Sequence, residues 1–431
     1  MEQRAVKIFD VIENKTILIP KELILNKNVF DIIKNAQKQP YFNASLKSGG
    51  LEIIAGNYIG IIPINKEIAL NIHPKIKISN LFYLLKTAKR ELRFLSNFFR
   101  SYTQDTFNID LVDLFTIYFL KNLETIEREG VFRDYVIRIE NSSTPKGKIL
   151  FKDHLHQNVF KNIHHRVTHS YQELSRDILP NQVIKYTIEY LTQYHRIFNK
   201  KNKHILKRLE YYRNMFSRVS YKNTVREMNQ IEIQKLFMSI PSIRSYYQDT
   251  LKVCFLILQK ANFSFEKKEI SDIHALPSIY INMEDIFEQY LLNSLNSTVT
   301  TEDIYFYKGH KHLFSDKRHP SIEPDIILEK NKRISCLADA KYKDNKPTRD
   351  DIFQMISYLV SYNCKIGVFI LPLNKNKRVE YLGEISGKII YIYRININNE
   401  NISDCHLEEE ALFNFLKMDE TEKKNLVNTE F

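Results

Sequence analysis

At 431 residues the chain is too long for one ordinary domain, and length alone suggests about three. Its 43% hydrophobic and 12% aromatic residues exclude a mostly disordered chain; four scattered cysteines (Cys254, Cys336, Cys364, Cys405), with no C-x-x-C pair, exclude a disulfide framework and a cysteine-rich zinc site. Sixty-three Lys and Arg against 51 Asp and Glu leave a net charge of +12, which favours a polyanionic partner such as nucleic acid, although a lysine-rich background would give the same sum.

The longest purely apolar run, residues 253–258, is far short of the roughly 20 residues that cross a bilayer. No apolar stretch of signal-peptide type follows the Met-Glu-Gln-Arg start. A soluble, cytoplasmic protein without a membrane partner is expected.

Residues 16–78 read as strands and turns. Thr16-Ile-Leu-Ile-Pro, Leu51-Glu-Ile-Ile and Tyr58-Ile-Gly-Ile-Ile-Pro-Ile are short β-branched runs, bounded by Gly49-Gly50, Gly56-Asn57 and Asn65-Lys66. Ile68-Ala-Leu-Asn-Ile-His-Pro alternates apolar with polar and stops at proline. A small antiparallel barrel or sandwich is predicted.

Helices are expected to dominate from Leu81 to Asn262. Leu111, Leu114, Phe115, Tyr118 and Phe119 follow the spacing of an amphipathic helix, and Pro180-Asn-Gln-Val183 opens another that runs toward His195. Between them Pro145-Lys-Gly-Lys148 is a basic turn. The densest basic segment, Lys200-Lys-Asn-Lys-His204 with Lys207, Arg208 and Arg213, is either a solvated helix face or a phosphate-contact patch. His154, His156, His164, His165 and His169 are too irregularly spaced for a zinc site.

From about residue 273 to 394 the pattern is mixed. A helix at 282–296 precedes Ile304-Tyr-Phe-Tyr, Asp325-Ile-Ile-Leu and Ser335-Cys-Leu-Ala-Asp-Ala-Lys341; a second helix at 350–362 leads into Gly367-Val-Phe-Ile-Leu371, a fully apolar run that suits a central strand. An acidic tail follows Glu408-Glu-Glu410. The expected organisation is α+β and multidomain: a β-rich N-terminal domain (1–80), a mainly helical central domain (81–270), an α/β C-terminal domain (271–400) and the tail (401–431).

The chemistry concentrates in Glu323-Pro-Asp325 and Leu337-Ala-Asp-Ala-Lys-Tyr-Lys343. Side chains alternate along a strand, so Asp339, Lys341 and Lys343 share one face, with Ala340 and Tyr342 on the other. Asp325 lies far enough upstream for a hairpin to bring the two carboxylates together. Two such groups about 4 Å apart repel by roughly 4 kcal/mol at an effective dielectric near 20, unless a cation sits between them. Hard oxygens beside a phosphate suit Mg²⁺, and the chemistry implied is metal-assisted phosphodiester hydrolysis with Lys341 beside the attacking water. A structural ion-pair cluster at a sheet end is the competing reading, and Pro-Asp is a common turn dipeptide.

Pro324-Asp325 followed by Asp339-Ala340-Lys341 resembles the PD-(D/E)xK signature of restriction enzymes and RecB-type nucleases. Glu288, in Met283-Glu-Asp-Ile-Phe-Glu288, matches the acidic residue of that family's first helix, with Glu284 one turn away as the alternative. Gln354 and Tyr358 match the Q-x-x-x-Y of the RecB-like branch. Tyr58-Ile-Gly-Ile-Ile-Pro-Ile, Leu70-Asn-Ile-His-Pro-Lys-Ile, Lys146-Gly-Lys-Ile-Leu-Phe and Tyr171-Gln-Glu-Leu-Ser-Arg-Asp177 resemble the McrC family, the nuclease subunits of McrBC-type modification-dependent restriction systems.

The resemblance implies a PD-(D/E)xK restriction-endonuclease-like C-terminal domain and a Mg²⁺-dependent DNA endonuclease, with Mn²⁺ also suitable. Asp325, Asp339, Glu288 and the Ala340 backbone carbonyl would take the metal, Lys341 would activate water, and Gln354 and Tyr358 would position the site. It also implies double-stranded DNA and a hexameric AAA+ GTPase of the McrB type as partners, docked through residues 1–80. Nucleotide binding is not expected in this chain: Gly383-Glu-Ile-Ser-Gly-Lys388 has one residue too few for a Walker loop, and Ile389 follows the lysine. A non-catalytic docking subunit and a stand-alone RecB-like nuclease are the alternative functions.

Overall fold

The computed structural model describes residues 7–21, 41–64, 68–88, 111–198, 203–222, 225, 228–262, 280–299, 303–313, 321–373 and 377–429. The Asn65-Lys66 turn and the basic residues 200–202 lie outside the described residues. Six strands come first: β1 (Lys7–Ile12), β2 (Thr16–Pro20), β3 (Phe42–Lys47), β4 (Gly50–Ala55), β5 (Tyr58–Pro63) and β6 (Ile68–His73), then helix α1 (Ile78–Ala88). Next come α2 (Leu111–Glu129), β7 (Asp134–Ser142), β8 (Lys148–Ile149), α3 (Phe151–Gln157), β9 (Val167–Ser175), α4 (Leu179–Phe198), α5 (Lys203–Met215), α6 (Gln230–Met238) and α7 (Tyr246–Asn262). The rest runs β10 (Tyr280–Asn282), α8 (Met283–Thr298), β11 (Ile304–Tyr307), β12 (Lys311–His312), β13 (Ser321–Ile322), β14 (Ile326–Lys330), β15 (Arg333–Ala340), α9 (Arg349–Ser361), β16 (Ile366–Pro372), β17 (Val379–Ile385), β18 (Lys388–Ile395), α10 (Ile402–Lys417) and α11 (Glu420–Thr429).

Composition draws boundaries near residues 80 and 270, but the described residues group differently. One compact unit gathers those of 9–65, 69–108 and 280–431; the other gathers those of 109–279, with residues 7–8 and 68. In the first unit, β2, β4 and β3 form one small antiparallel sheet, and β1, β6 and β5 form another, which β10 completes from 220 residues further along (Tyr280 opposite Gly60). Helix α1 lies on α8: Asn293 Nδ2 donates to the Thr87 and Ala88 carbonyls at 3.1 and 2.8 Å, satisfying the open end of α1.

The main sheet of this unit has the order β11-β14-β15-β16-β18-β17. Strands β15, β16 and β18 run parallel, and antiparallel neighbours flank them on both sides. Every residue of β16 is buried, as expected of a strand covered on both faces. Helix α9 crosses between β15 and β16 and packs Met355, Tyr358 and Leu359 against Ile327, Leu337, Phe369, Ile390 and Ile392. A Cβ on Gly367 would lie 2.8 Å from Met355 Sδ, so glycine sets how closely α9 approaches. On the opposite face Tyr391 and Tyr393 meet Phe415 of α10, with ring centroids 6.2 and 4.9 Å apart. The acidic tail is therefore a packed layer: Glu409 is buried and accepts the Tyr83 hydroxyl at 2.9 Å. The glycine-lysine stretch near residue 387 is a hairpin turn between β17 and β18, with Ser386 and Gly387 at φ of 50° and 70°.

In the second unit, Phe115, Tyr118 and Phe119 of α2 are buried, as their spacing predicts. The segment is less purely helical than expected, because β7, β9 and β8 form a three-stranded antiparallel sheet. The period-2 row Tyr135, Ile137, Ile139 was legible, but it faces solvent at 65, 67 and 63% exposure and so buries no core. On the basic helix α5, Arg213 pairs with Glu189 at 2.7 Å and Arg208 pairs with Glu124, so part of its charge is neutralised within the unit. Among the described residues no helix is long and apolar enough to cross a membrane.

Candidate active site

The β14–β15 hairpin builds the site. Its turn, Asn331-Lys332, holds both residues at positive φ (51° and 60°), the left-handed pair that a two-residue hairpin requires. Beside the turn Glu329 pairs with Ile334; beyond a bulge at Leu328/Glu329, Leu328 pairs with Cys336 and Ile326 with Ala338. Continuing that register past Ile326 sets Asp325 across from Asp339. Without the one-residue shift Asp325 would face Ala338, whose side chain points to the other side of the sheet.

Asp325 Oδ2 accepts the Ala340 amide at 2.9 Å. Asp339 Oδ2 is buried, accepts no aligned hydrogen bond, and lies 2.7 Å from Lys341 Nζ. The Lys341 amide donates to Ile370 O at 2.9 Å, prolonging the β15–β16 ladder, so its side chain follows that of Asp339.

A second lysine stands at the other side of Asp325. Lys308, directly after β11, holds Nζ 3.4 Å from Glu288 Oε2 and 3.8 Å from Asp325 Oδ1. Its neighbour Gly309 donates its amide to Pro324 O at 2.9 Å, and a Cβ there would stand 2.6 Å from Pro324 Cγ. Only glycine lets the chain leaving β11 pass this close to Asp325.

Helix α9 supplies the remaining polar groups. Thr348 caps it: Asp351 Oδ2 accepts the Thr348 amide at 2.6 Å, and Thr348 Oγ1 accepts the Asp351 amide at 3.4 Å. That fixes the first turn so that Asp351 Oδ1 and Gln354 Oε1 lie 3.9 and 3.3 Å from Lys341 Nζ. Lys343 pairs with the other Asp351 oxygen. One turn on, the buried Tyr358 donates its hydroxyl to Glu323 O at 3.4 Å.

Burial first, then Asp339 and Glu288, push Asp325 up to about 8. Burial likewise raises Glu288, opposed by Lys308. At both lysines burial works against the ammonium, but the surrounding carboxylates outweigh it: Asp339, Asp325 and Asp351 for Lys341, Glu288 and Asp325 for Lys308. Both are cations at neutral pH.

The structure therefore brings Asp325, Asp339 and Lys341 together, with Gln354 on Lys341. Glu288 joins through Lys308, whereas Glu284 accepts from Asn57 Nδ2 at 2.7 Å. Lys308 and Asp351 were not singled out in the sequence. The T-x-x-D capping box could have marked Asp351; nothing local marks Lys308. Among the described residues no three His, Cys, Asp or Glu side chains are grouped closely enough to hold a metal ion by themselves. Two carboxylates, a main-chain carbonyl and water nonetheless suit Mg²⁺, which takes few protein ligands, and the buried Asp339 oxygen already holds one cation, the Lys341 ammonium.

A family model described as "McrBC 5-methylcytosine restriction system component" matches residues 53–372. No curated protein matches. The chain is similar to one in a half-complex from the tetradecameric assembly of Thermococcus gammatolerans McrB AAA+ hexamers with bound McrC. The two are 13% identical with a TM-score of 0.61, over 95% of this chain and 100% of that one. A second Thermococcus gammatolerans McrBC complex structure matches over 69% of this chain and 90% of that one, at 13% identity and a TM-score of 0.44. The family match spans most of the sequence and takes in Glu288, Asp325, Asp339 and Lys341, and on it this chain belongs to the McrBC restriction-system family.

Proposed function

We propose that this chain is the nuclease subunit of an McrBC-type restriction complex: a divalent-metal-dependent endonuclease of the PD-(D/E)xK class that cuts double-stranded DNA and stimulates an AAA+ GTPase. One observation carries the reading. Asp325, Asp339 and Lys341, from two arms of a hairpin, meet at the strand ends in the middle of the main sheet, with a buried Asp339 oxygen whose one close partner is the Lys341 ammonium.

Asp325, Asp339 and the Ala340 carbonyl are the groups that would hold Mg²⁺ or Mn²⁺, with Glu288 assisting. A divalent ion there supplies charge neutralisation on the phosphodiester and lowers the pKa of water. Lys341 stays protonated, so it donates hydrogen bonds to the attacking water or a phosphate oxygen and does not take a proton. Gln354 limits where that ammonium can point. In the reaction water forms a new P–O bond and one ester P–O bond breaks; the attacking water gives up a proton to solvent, and the leaving oxygen gains one from solvent.

The similar chain was solved with McrB hexamers, which supports a motor partner here. The exposed apolar row of β7 favours the 109–279 unit as the surface that meets it, in addition to the expected 1–80 region. Asp339→Ala and Lys341→Ala, assayed with the partner GTPase and modified duplex DNA, should abolish cutting while GTPase stimulation stays at the wild-type level. Unimpaired cutting by either variant rejects the assignment.

A further inference from the structure

The loop after β15 carries the site lysine and is tied down along its length. Lys343 pairs with Asp351, Asp344 Oδ1 takes Lys75 Nζ at 2.8 Å, and Lys346 pairs with Glu380. Tyr342 points the other way, into the interior, and is fully buried.

What Tyr342 meets there comes from the start of the chain. Its hydroxyl donates to Glu13 Oε1 at 2.7 Å, across 329 residues of sequence. Glu13 occupies the turn between β1 and β2, and the same oxygen accepts the Lys75 amide at 2.8 Å. Lys75 Nζ lies 4.2 Å from the centroid of the Tyr342 ring. Phe287, the neighbour of Glu288 on α8, packs on that ring with centroids 5.6 Å apart.

Glu13 is only 1% exposed, and its Oε2 is buried without a hydrogen bond. Burial accordingly pushes its carboxyl above the ordinary range, against the Lys75 and Tyr342 contacts. An apolar pair of similar volume would fill the same space without desolvating a carboxylate. A carboxylate supplies what an apolar group lacks: a directed acceptor that fixes the phenol in one orientation.

We propose that Glu13 is a positioning residue of the nuclease centre, acting through Tyr342 to fix the main chain next to Lys341 and through Phe287 to seat the helix turn that carries Glu288. This rests on the nuclease reading above. It makes the N-terminal β1–β2 turn part of the cutting machinery, so that residues 280–431 hold the charged side chains but not the frame that aligns them.

The test compares Glu13→Ala, Glu13→Gln and Tyr342→Phe in the full chain with the partner GTPase and modified duplex DNA, measuring kcat, KM, GTPase stimulation and thermal midpoint. A glutamine oxygen can accept both hydrogen bonds, so Glu13→Gln should cut within about threefold of wild type. Glu13→Ala and Tyr342→Phe should lose at least about tenfold in kcat, with KM for DNA and GTPase stimulation unchanged. Should Glu13→Ala fail to fold, Tyr342→Phe, which removes a single oxygen, decides the matter. Wild-type kcat in Tyr342→Phe, or a loss in Glu13→Gln as large as in Tyr342→Phe, overturns the brace. A wild-type chain that cuts under no condition sinks the nuclease reading, and the brace falls with it.

Discussion

Asp325 accepts the backbone amide of Ala340 at 2.9 Å, so a carboxylate on one arm of a hairpin is held by the main chain of the other. The bond orients one oxygen of Asp325, and the second faces Lys308 at 3.8 Å. Backbone positions one acid while the charged side chains around it balance charge.

That arrangement predicts a pH dependence. Burial, Asp339 and Glu288 raise Asp325 from its ordinary 3.8 to about 8. The folded chain keeps a proton there that the unfolded chain has already released, so this contribution to stability is full below the unfolded value and is lost as pH rises through about 8. The thermal midpoint of the metal-free chain should fall between pH 5 and 8, on the order of a few degrees. Asp325→Asn should flatten that slope; an unchanged slope in the variant would assign it elsewhere.

Lys308 balances Glu288 and Asp325 and, as a cation beside two candidate metal ligands, competes with any divalent ion. Lys308→Met should therefore tighten Mg²⁺ binding about tenfold in calorimetry of the full chain, less than bare Coulomb repulsion would give because the ammonium is half-exposed. Weaker binding in the variant would show that Lys308 supports the ion.

Gly309→Ala places a methyl group against the Pro324 ring, which cannot swing aside as a flexible chain would. About 1–3 kcal/mol of stability should be lost in urea melts, and cutting should fall because the chain leaving β11 carries Lys308. A fully stable variant would mean that this crossing relaxes freely.

The exposed row on β7 separates docking from folding. Ile137→Asp should change stability by less than about 0.5 kcal/mol, because the side chain covers no core. Stimulation of the partner GTPase should drop at least about tenfold. Full stimulation with the aspartate in place would move the motor contact to another surface.

Much of the site could be read along the chain because strand geometry is local. A period of two puts Asp339 and Lys341 on one face whatever else the fold does, and i, i+4 spacing does the same for Gln354 and Tyr358 on α9. The helices expected at 282–296 and 350–362 form within two residues of those bounds at each end. The β7–β9 sheet was missed although Tyr135, Ile137 and Ile139 alternate along the chain, because the helical periodicity on both sides of the segment outweighed that short row.

Covalent geometry thus gave this protein its strand faces, helix stripes and carboxylate–lysine spacing, since each depends on bonds within a few residues. Only the folded chain chose the rest. A bulge at Leu328/Glu329 aligned Asp325 with Asp339, a glycine contact let Lys308 reach Asp325, and Glu13 came to lie under Tyr342. Those choices depend on which surfaces exclude water together across hundreds of residues, and no local pattern encodes that.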